Sequence, residues 1–152
     1  TMSIDNVRKY LTRFNVENDI LEFPVSSATV QLAAEALNVI PARITKTLAL
    51  KNGDGCMVIA VAGDGKIDNK KFKTEFGFKA KMLSPEEMTG HAVGGVCPFA
   101  LPEGVKAYCD ISMKRFDTVF PACGSSNSAI EVTCDELFEY SNAVKWIDIC
   151  KD

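Results

Sequence analysis

The chain has one histidine and one tryptophan among its 152 residues, no long apolar run, and no excess of positive charge. Each scarcity excludes something. A single histidine, His91, cannot supply the imidazole sets of most catalytic zinc sites, and a closed site would need scattered cysteines to converge, so no metal is expected. No apolar stretch approaches the roughly 20 residues that span a bilayer as a helix, and the first residues lack the apolar region of a secretory signal. The chain therefore reads as cytoplasmic, with no membrane partner. Net charge is −3, from 17 Lys+Arg against 20 Asp+Glu. With no global positive field, any contact with nucleic acid must be local. Neither G-x-G-x-x-G nor G-x-x-x-x-G-K-[ST] occurs, so no dinucleotide or P-loop nucleotide site is indicated and no cofactor is expected.

Six cysteines are present, Cys56, Cys97, Cys109, Cys123, Cys134 and Cys150, none in a C-x-x-C pair. With 47% hydrophobic residues the chain can bury a core that needs no staples. Reduced, mostly buried thiols are the expectation, and residues 1–152 read as one domain.

What is present is a sequence of short periodic segments. Ile4, Val7, Tyr10, Leu11 and Phe14 repeat at helical spacing after Ser3, a candidate N-cap. Residues 20–23 read as a strand, 24–28 as a turn, and 30–37 as a helix with Thr29 near its start. Residues 44–50 and 57–62 form a hairpin through Asn52-Gly53-Asp54-Gly55. A lysine-rich helix at 69–76, a strand near 79–83 and a helix opening at Ser84-Pro85 follow. Strands at 105–109, 118–121 and 129–133, a helix at 135–140 and a last strand around 144–149 complete the chain. Hairpins interleaved with short helices, rather than regular βαβ units, define an α+β class with a mixed sheet.

Two segments break the pattern of an ordinary core. In Ile44-Thr45-Lys46-Thr47-Leu48-Ala49-Leu50, strand alternation puts Lys46 on the face of Ile44, Leu48 and Leu50. A lysine aimed at a core finds an acid, snorkels to a rim, or meets an anionic ligand. In Gly90-His91-Ala92-Val93-Gly94-Gly95-Val96-Cys97-Pro98-Phe99, the paired glycines leave consecutive amides open to a ligand oxygen, and Pro98 stiffens the exit. The alternative for this segment is a plain turn between strands.

Together with Tyr108-x-Asp110-x-Ser112, Ala122-x-Gly124 and Ile130-Glu131-Val132-x-x-x-Glu136-Leu137, these segments resemble, in order and spacing, the YbaK-like aminoacyl-tRNA deacylases. Those proteins are freestanding relatives of the editing domain inserted in bacterial prolyl-tRNA synthetases, and the resemblance runs from about Leu21 to Leu137. It implies a curved, barrel-like mixed β-sheet surrounded by short helices. It also implies a trans-editing hydrolase that deacylates mischarged tRNA carrying Ala, Cys or Ser, on tRNA(Pro), with prolyl-tRNA synthetase as a possible partner. By the same resemblance Lys46, Gly94 and Gly95 are catalytic, and Val96, Pro98, Phe99, His91, Gly124, Ser125, Ser126 and Asn127 line the pocket. The chain departs from the family in Phe99-Ala100-Leu101, where relatives often have a glycine after the phenylalanine. The histidine that synthetase-borne domains carry on the Gly124 wall has no counterpart here.

An aminoacyl ester is already activated, so its hydrolysis needs a positioned carbonyl, donors for the oxyanion and a nucleophile such as water. Other readings stay open. Asp110 and Ser112 form either a polar pair on the pocket floor or a cap on the turn that follows. His91 with Cys97 or Cys123 would make a thiol hydrolase. A non-catalytic tRNA- or nucleotide-binding module is the remaining alternative. Lys66, Lys70, Lys71, Lys73, Lys79 and Lys81 fall in one short basic stretch opposed only by Asp68 and Glu75, which either holds the tRNA acceptor end, with Lys70, Lys71 and Lys73 as its contacts, or is a solvated helix face.

Overall fold

A computed structural model describes residues 3–84 and 96–152. Its centre is the hairpin of β2 (Ile44–Asn52) and β3 (Gly55–Ala62), paired antiparallel with Asn52 opposite Gly55. Gly53 takes a φ of +65° in the two-residue turn, a conformation glycine adopts without penalty. β3 is buried from Cys56 to Ala62, and a strand covered on both faces needs apolar residues at every position.

The six-stranded sheet has the order β7-β5-β2-β3-β4-β8. β4 (Lys106–Asp110) and β5 (Thr118–Pro121) flank the hairpin in parallel, β8 (Trp146–Ile147) lies parallel to β4, and β7 (Val132–Thr133) runs antiparallel to β5. A separate ribbon joins β1 (Leu21–Glu22) to β6 (Ser128–Ala129). This mixed sheet curls into a half-barrel surrounded by short helices: α1 (Ser3–Leu11), α2 (Val30–Leu37), α3 (Asn69–Phe76) and α4 (Cys134–Tyr140). One face packs Ala60 and Ala62 with Val7 and Leu11 of α1, Cys97, Phe99, Cys123 and Leu137. The opposite face packs Leu50, Met57, Ile59 and Val61 with Phe72 of α3 and Ile149.

Helix starts follow capping chemistry. Thr29 accepts from the Leu32 amide at 3.1 Å, Asp68 accepts from the amides of Lys70 and Lys71, and Thr133 with Glu136 forms a reciprocal capping box. α1 begins at Ser3 itself, so Ser3 is not the residue before the helix. The strand expected near 79–83 is a single bridge, Leu50 to Met82. The strand expected at 129–133 divides, because Ile130 and Glu131 carry the chain from the ribbon to the sheet. The helix expected from Ser84 lies outside the described residues.

Candidate functional site

The partners of β2 leave a gap. β5 pairs with it only at Ile44 and Thr45. On the same edge the 81–83 segment arrives later: the Leu83 amide donates to the Ala49 carbonyl at 3.0 Å, and the Lys51 amide donates to the Lys81 carbonyl at 2.9 Å. Alternate residues of a strand point their amide and carbonyl to the same edge, so the phase of Ala49 and Lys51 extends to Thr47. Its backbone N–H and C=O face the gap, and no described residue pairs with them there. The Thr47 hydroxyl is also buried and has no hydrogen-bond partner. Leaving such a group unsatisfied costs about 1–3 kcal/mol.

This open edge borders a cleft of about 200 Å³. Ser27, Thr29 and Val30 at the start of α2 rim it, Val96, Phe120 and Ala122 add apolar wall, and Ser128 and Ala129 close it. Lys46, half-buried, also borders the cleft, and its ammonium donates to the Gly65 carbonyl at 2.6 Å. One of its three donors is thus committed, and no described carboxylate forms an ion pair with it. The Gly65 turn is tight: its amide donates to the Ala62 carbonyl at 2.8 Å. A Cβ at Gly65 would stand 2.9 Å from the Ala62 oxygen and 3.1 Å from the Cys150 sulfur.

Beyond Gly65 lies a second cavity, of about 370 Å³, bordered by Asp64, Asp110, Ser112, Arg115 and Cys150. Arg115 grips Asp64 with two hydrogen bonds, at 2.6 and 3.1 Å, and holds its carboxyl below the usual carboxylate range. Asp110 is fully buried and accepts from the Ser112 amide at 2.8 Å and the Ile149 amide at 2.7 Å. The Ser112 hydroxyl accepts from the Ala62 amide at 3.0 Å. Both residues therefore fasten backbone around this second cavity, the capping alternative of the sequence, and neither borders the cleft. Burial, followed by the nearby Asp110 carboxylate, pushes the Cys150 thiol up to about 12.

The other candidate residues divide by position. Val96 borders the cleft, Phe99 is buried in the core, and Pro98 borders a groove with Tyr10 and Arg13 on another side. Gly124 has a φ of +92°. The Ser125 hydroxyl donates to the Asn127 side-chain oxygen and accepts from the Ser128 hydroxyl, Asn127 donates to the Phe23 carbonyl, and the Ser126 carbonyl accepts from the Ser27 amide. This wall anchors the 23–27 segment that rims the cleft. His91, Gly94 and Gly95 lie outside the described residues. On α3, Lys71 is bound by Asp148, Asp152 and the Cys150 carbonyl, while Lys70 and Lys73 are exposed.

All six cysteines are reduced. Cys97 and Cys123 are fully buried; burial pushes the Cys97 thiol up to about 12 and the Cys123 thiol well above its ordinary value. Attack requires the thiolate, which this environment suppresses. Among the described residues no group of three His, Cys, Asp or Glu converges as a metal site, and no helix is long and apolar enough to cross a membrane. Thr47, Ser27, Thr29 and Ser128 border the cleft without having been singled out from the sequence. For Thr47 the available signal is its phase with Thr45 in an otherwise apolar strand.

The chain belongs to the aminoacyl-tRNA editing domain family, whose profile matches residues 25–140. It is 56% identical over 155 residues to the uncharacterized protein YwhH of Bacillus subtilis (strain 168), covering 99% of each chain. A crystal structure of a candidate trans-editing enzyme for prolyl-tRNA synthetase superposes with a TM-score of 0.87 at 25% identity, covering 100% of this chain and 99% of that one. The hypothetical protein APE2540 superposes with a TM-score of 0.80 at 25% identity, covering 93% and 99%.

Proposed function

We propose that this chain is a trans-editing hydrolase that removes a small amino acid, Ala, Cys or Ser, from mischarged tRNA(Pro), acting on the acceptor end and in support of prolyl-tRNA synthetase. The observation that carries the reading is the open edge at Thr47, whose backbone amide and carbonyl no described residue pairs, on the cleft that Lys46 also borders. An aminoacyl ester presents the complementary groups. Its α-ammonium suits the Thr47 carbonyl, and its ester oxygen suits the Thr47 amide, as when an extended peptide adds to a sheet edge. Lys46 supplies a point charge for the developing oxyanion or for the terminal phosphate. Gly94 and Gly95, which precede Val96 in the chain, are the proposed further donors.

In the reaction, water adds to the ester carbonyl and the bond from carbon to the ribose oxygen breaks. The ribose oxygen takes a proton, leaving the amino acid and deacylated tRNA. Attack by the neighbouring ribose hydroxyl would only move the acyl group to that oxygen, and attack by the thiol of a cysteinyl substrate would expel the ribose oxygen and leave a β-thiolactone, so in either case water must still open the product to release the amino acid. A cleft of about 200 Å³ suits a small side chain and excludes bulky ones. Apolar fit separates similar side chains by only about 1–3 kcal/mol, so overlapping activity on Ala, Cys and Ser esters is expected. The test is a deacylation panel of Ala-, Cys- and Ser-tRNA(Pro) with Pro-tRNA(Pro) as the species to be spared. Rapid loss of proline, or no hydrolysis of any small mischarged species, contradicts the assignment.

A further inference from the structure

The edge of β2 that opens at Thr47 continues to Lys51, where the 79–83 segment lies against it. Around this junction runs a groove of about 600 Å³ bordered by Lys51, Gly53, Phe78, Lys79, Ala80 and Lys81. Its lining has three lysines and no carboxylate. All three lysines are exposed, and none takes part in an ion pair among the described residues. Two other lysines are neutralised, Lys71 by Asp148 and Asp152 and Lys145 by Glu75, while the remaining lysines that lack an ion pair among the described residues, such as Lys9, Lys106 and Lys114, do not share one groove with two others. In a chain of net charge −3, this groove concentrates unbalanced positive charge on one apolar-floored surface. Phe78 is fixed against Phe72 and Phe76, each ring centroid 6.0 Å away, so the floor is rigid.

The complementary ligand is a polyanion with apolar faces between its charges, which describes the sugar–phosphate backbone of RNA. Position agrees with charge. Four residues separate Thr47 from Lys51, about 13 Å along a strand at roughly 3.3 Å per residue. Phosphates of one strand recur about every 3.4 Å along a duplex. An ester bound at Thr47 would therefore bring phosphates only a few nucleotides away to the lysines.

We infer that Lys51, Lys79 and Lys81 form the docking groove for the RNA backbone of the acceptor end, a few nucleotides from the ester. This rests on the editing reading of the cleft and assigns the RNA interface to the β2 edge rather than to α3.

The test compares the wild type with Lys51→Gln/Lys79→Gln/Lys81→Gln, and with Lys70→Gln/Lys73→Gln on α3, after thermal melts have matched their folding. Binding of deacylated tRNA is followed by fluorescence anisotropy across a salt series, and hydrolysis is followed on 3′-alanyl-adenosine, which has no phosphates. The expected result for the triple variant is at least a tenfold loss of tRNA affinity at low salt. Its plot of log K against log[salt] should flatten by about 2–3 units, at roughly 0.7–0.9 for each phosphate that is no longer neutralised. Hydrolysis of alanyl-adenosine should be unchanged, and the α3 variant should bind tRNA nearly as the wild type does. An unchanged affinity and slope in the triple variant, or an equal loss in the α3 variant, overturns the groove. If the wild type cleaves no ester, the editing reading fails while the tRNA titration still decides the groove by the same criterion.

Discussion

Thr47 and Lys46 are neighbours in the chain that face opposite sides of β2, and they contribute to the cleft in different ways. Lys46 brings charge: removing one charge-assisted interaction with a desolvated reacting group costs about 2–4 kcal/mol. Lys46→Ala should therefore lower kcat/KM by roughly 30- to 10³-fold, with a thermal midpoint close to the wild type because no large apolar volume is removed. Thr47 brings an unsatisfied hydroxyl that the folded protein keeps at a cost. Thr47→Val retains the shape and both backbone groups and removes only the orphaned hydroxyl, so the variant should gain about 1 kcal/mol of stability and keep deacylation. Thermal denaturation and a deacylation rate read the two effects separately; a variant with lower stability or lost activity contradicts the role given to Thr47. Of this pair only Lys46 was legible in the sequence, because a lysine in the apolar phase of a strand is conspicuous. A threonine is an ordinary strand residue. Its isolation depends on where β5 stops and where the 81–83 segment begins, and both stretches are remote in sequence.

At the scale of elements, the proposed site is the stretch of β2 that no described residue pairs and where a glycine turn receives the lysine. A side chain at Gly65 would press on the Ala62 backbone oxygen and on Cys150, displacing the carbonyl that receives Lys46. Gly65→Ala should destabilise the fold by about 1–3 kcal/mol and lower kcat/KM beyond what the stability loss explains. A melt and a rate taken well below the midpoint separate those contributions, and unchanged kinetics would detach Gly65 from the site. The central hairpin, α2 and α3 could be read from the sequence because local signals coincide there: alternation with a Gly53-Asp54 turn, Thr29 as a cap, and Asp68 before an amphipathic run. The division of residues 128–133 into β6 and β7 could not be read. Each piece is two residues long and answers to a different partner strand, which no local pattern encodes.

On the scale of the whole molecule, the cysteines act as small apolar core residues. Burial pushes the thiols of Cys97 and Cys109 up to about 12, against an ordinary value of 9.0. Below about pH 9 these thiols are protonated in the folded and unfolded chain alike, and their contribution to stability is fully present. Above that pH the unfolded chain sheds protons that the core retains, so unfolding is favoured until the folded thiols themselves titrate near 12. Stability should fall along this alkaline limb by at most about 1.4 kcal/mol per pH unit for each such thiol. Cys97→Ala should flatten the limb in denaturant titrations at pH 8 and pH 10, and should retain deacylation. Complete loss of activity in folded Cys97→Ala or Cys123→Ala would instead favour a thiol mechanism. The absence of staples and the mixed curved sheet were legible from composition and from the family resemblance. Which lysines of the 66–81 stretch are ion-paired was not, because Lys71 on α3 is held by carboxylates of the carboxy-terminal segment, remote in sequence.

The central claim is that the open edge of β2 is where an aminoacyl ester is cleaved. It is tested most directly by single-turnover hydrolysis of Ala-tRNA(Pro) and Pro-tRNA(Pro) by the wild type, Lys46→Ala and Thr47→Val. Cleavage of the alanyl ester by the wild type and by Thr47→Val, sparing of the prolyl ester, and loss of cleavage in folded Lys46→Ala is the expected result. Wild-type rates in Lys46→Ala, or equal hydrolysis of the two esters, would contradict it.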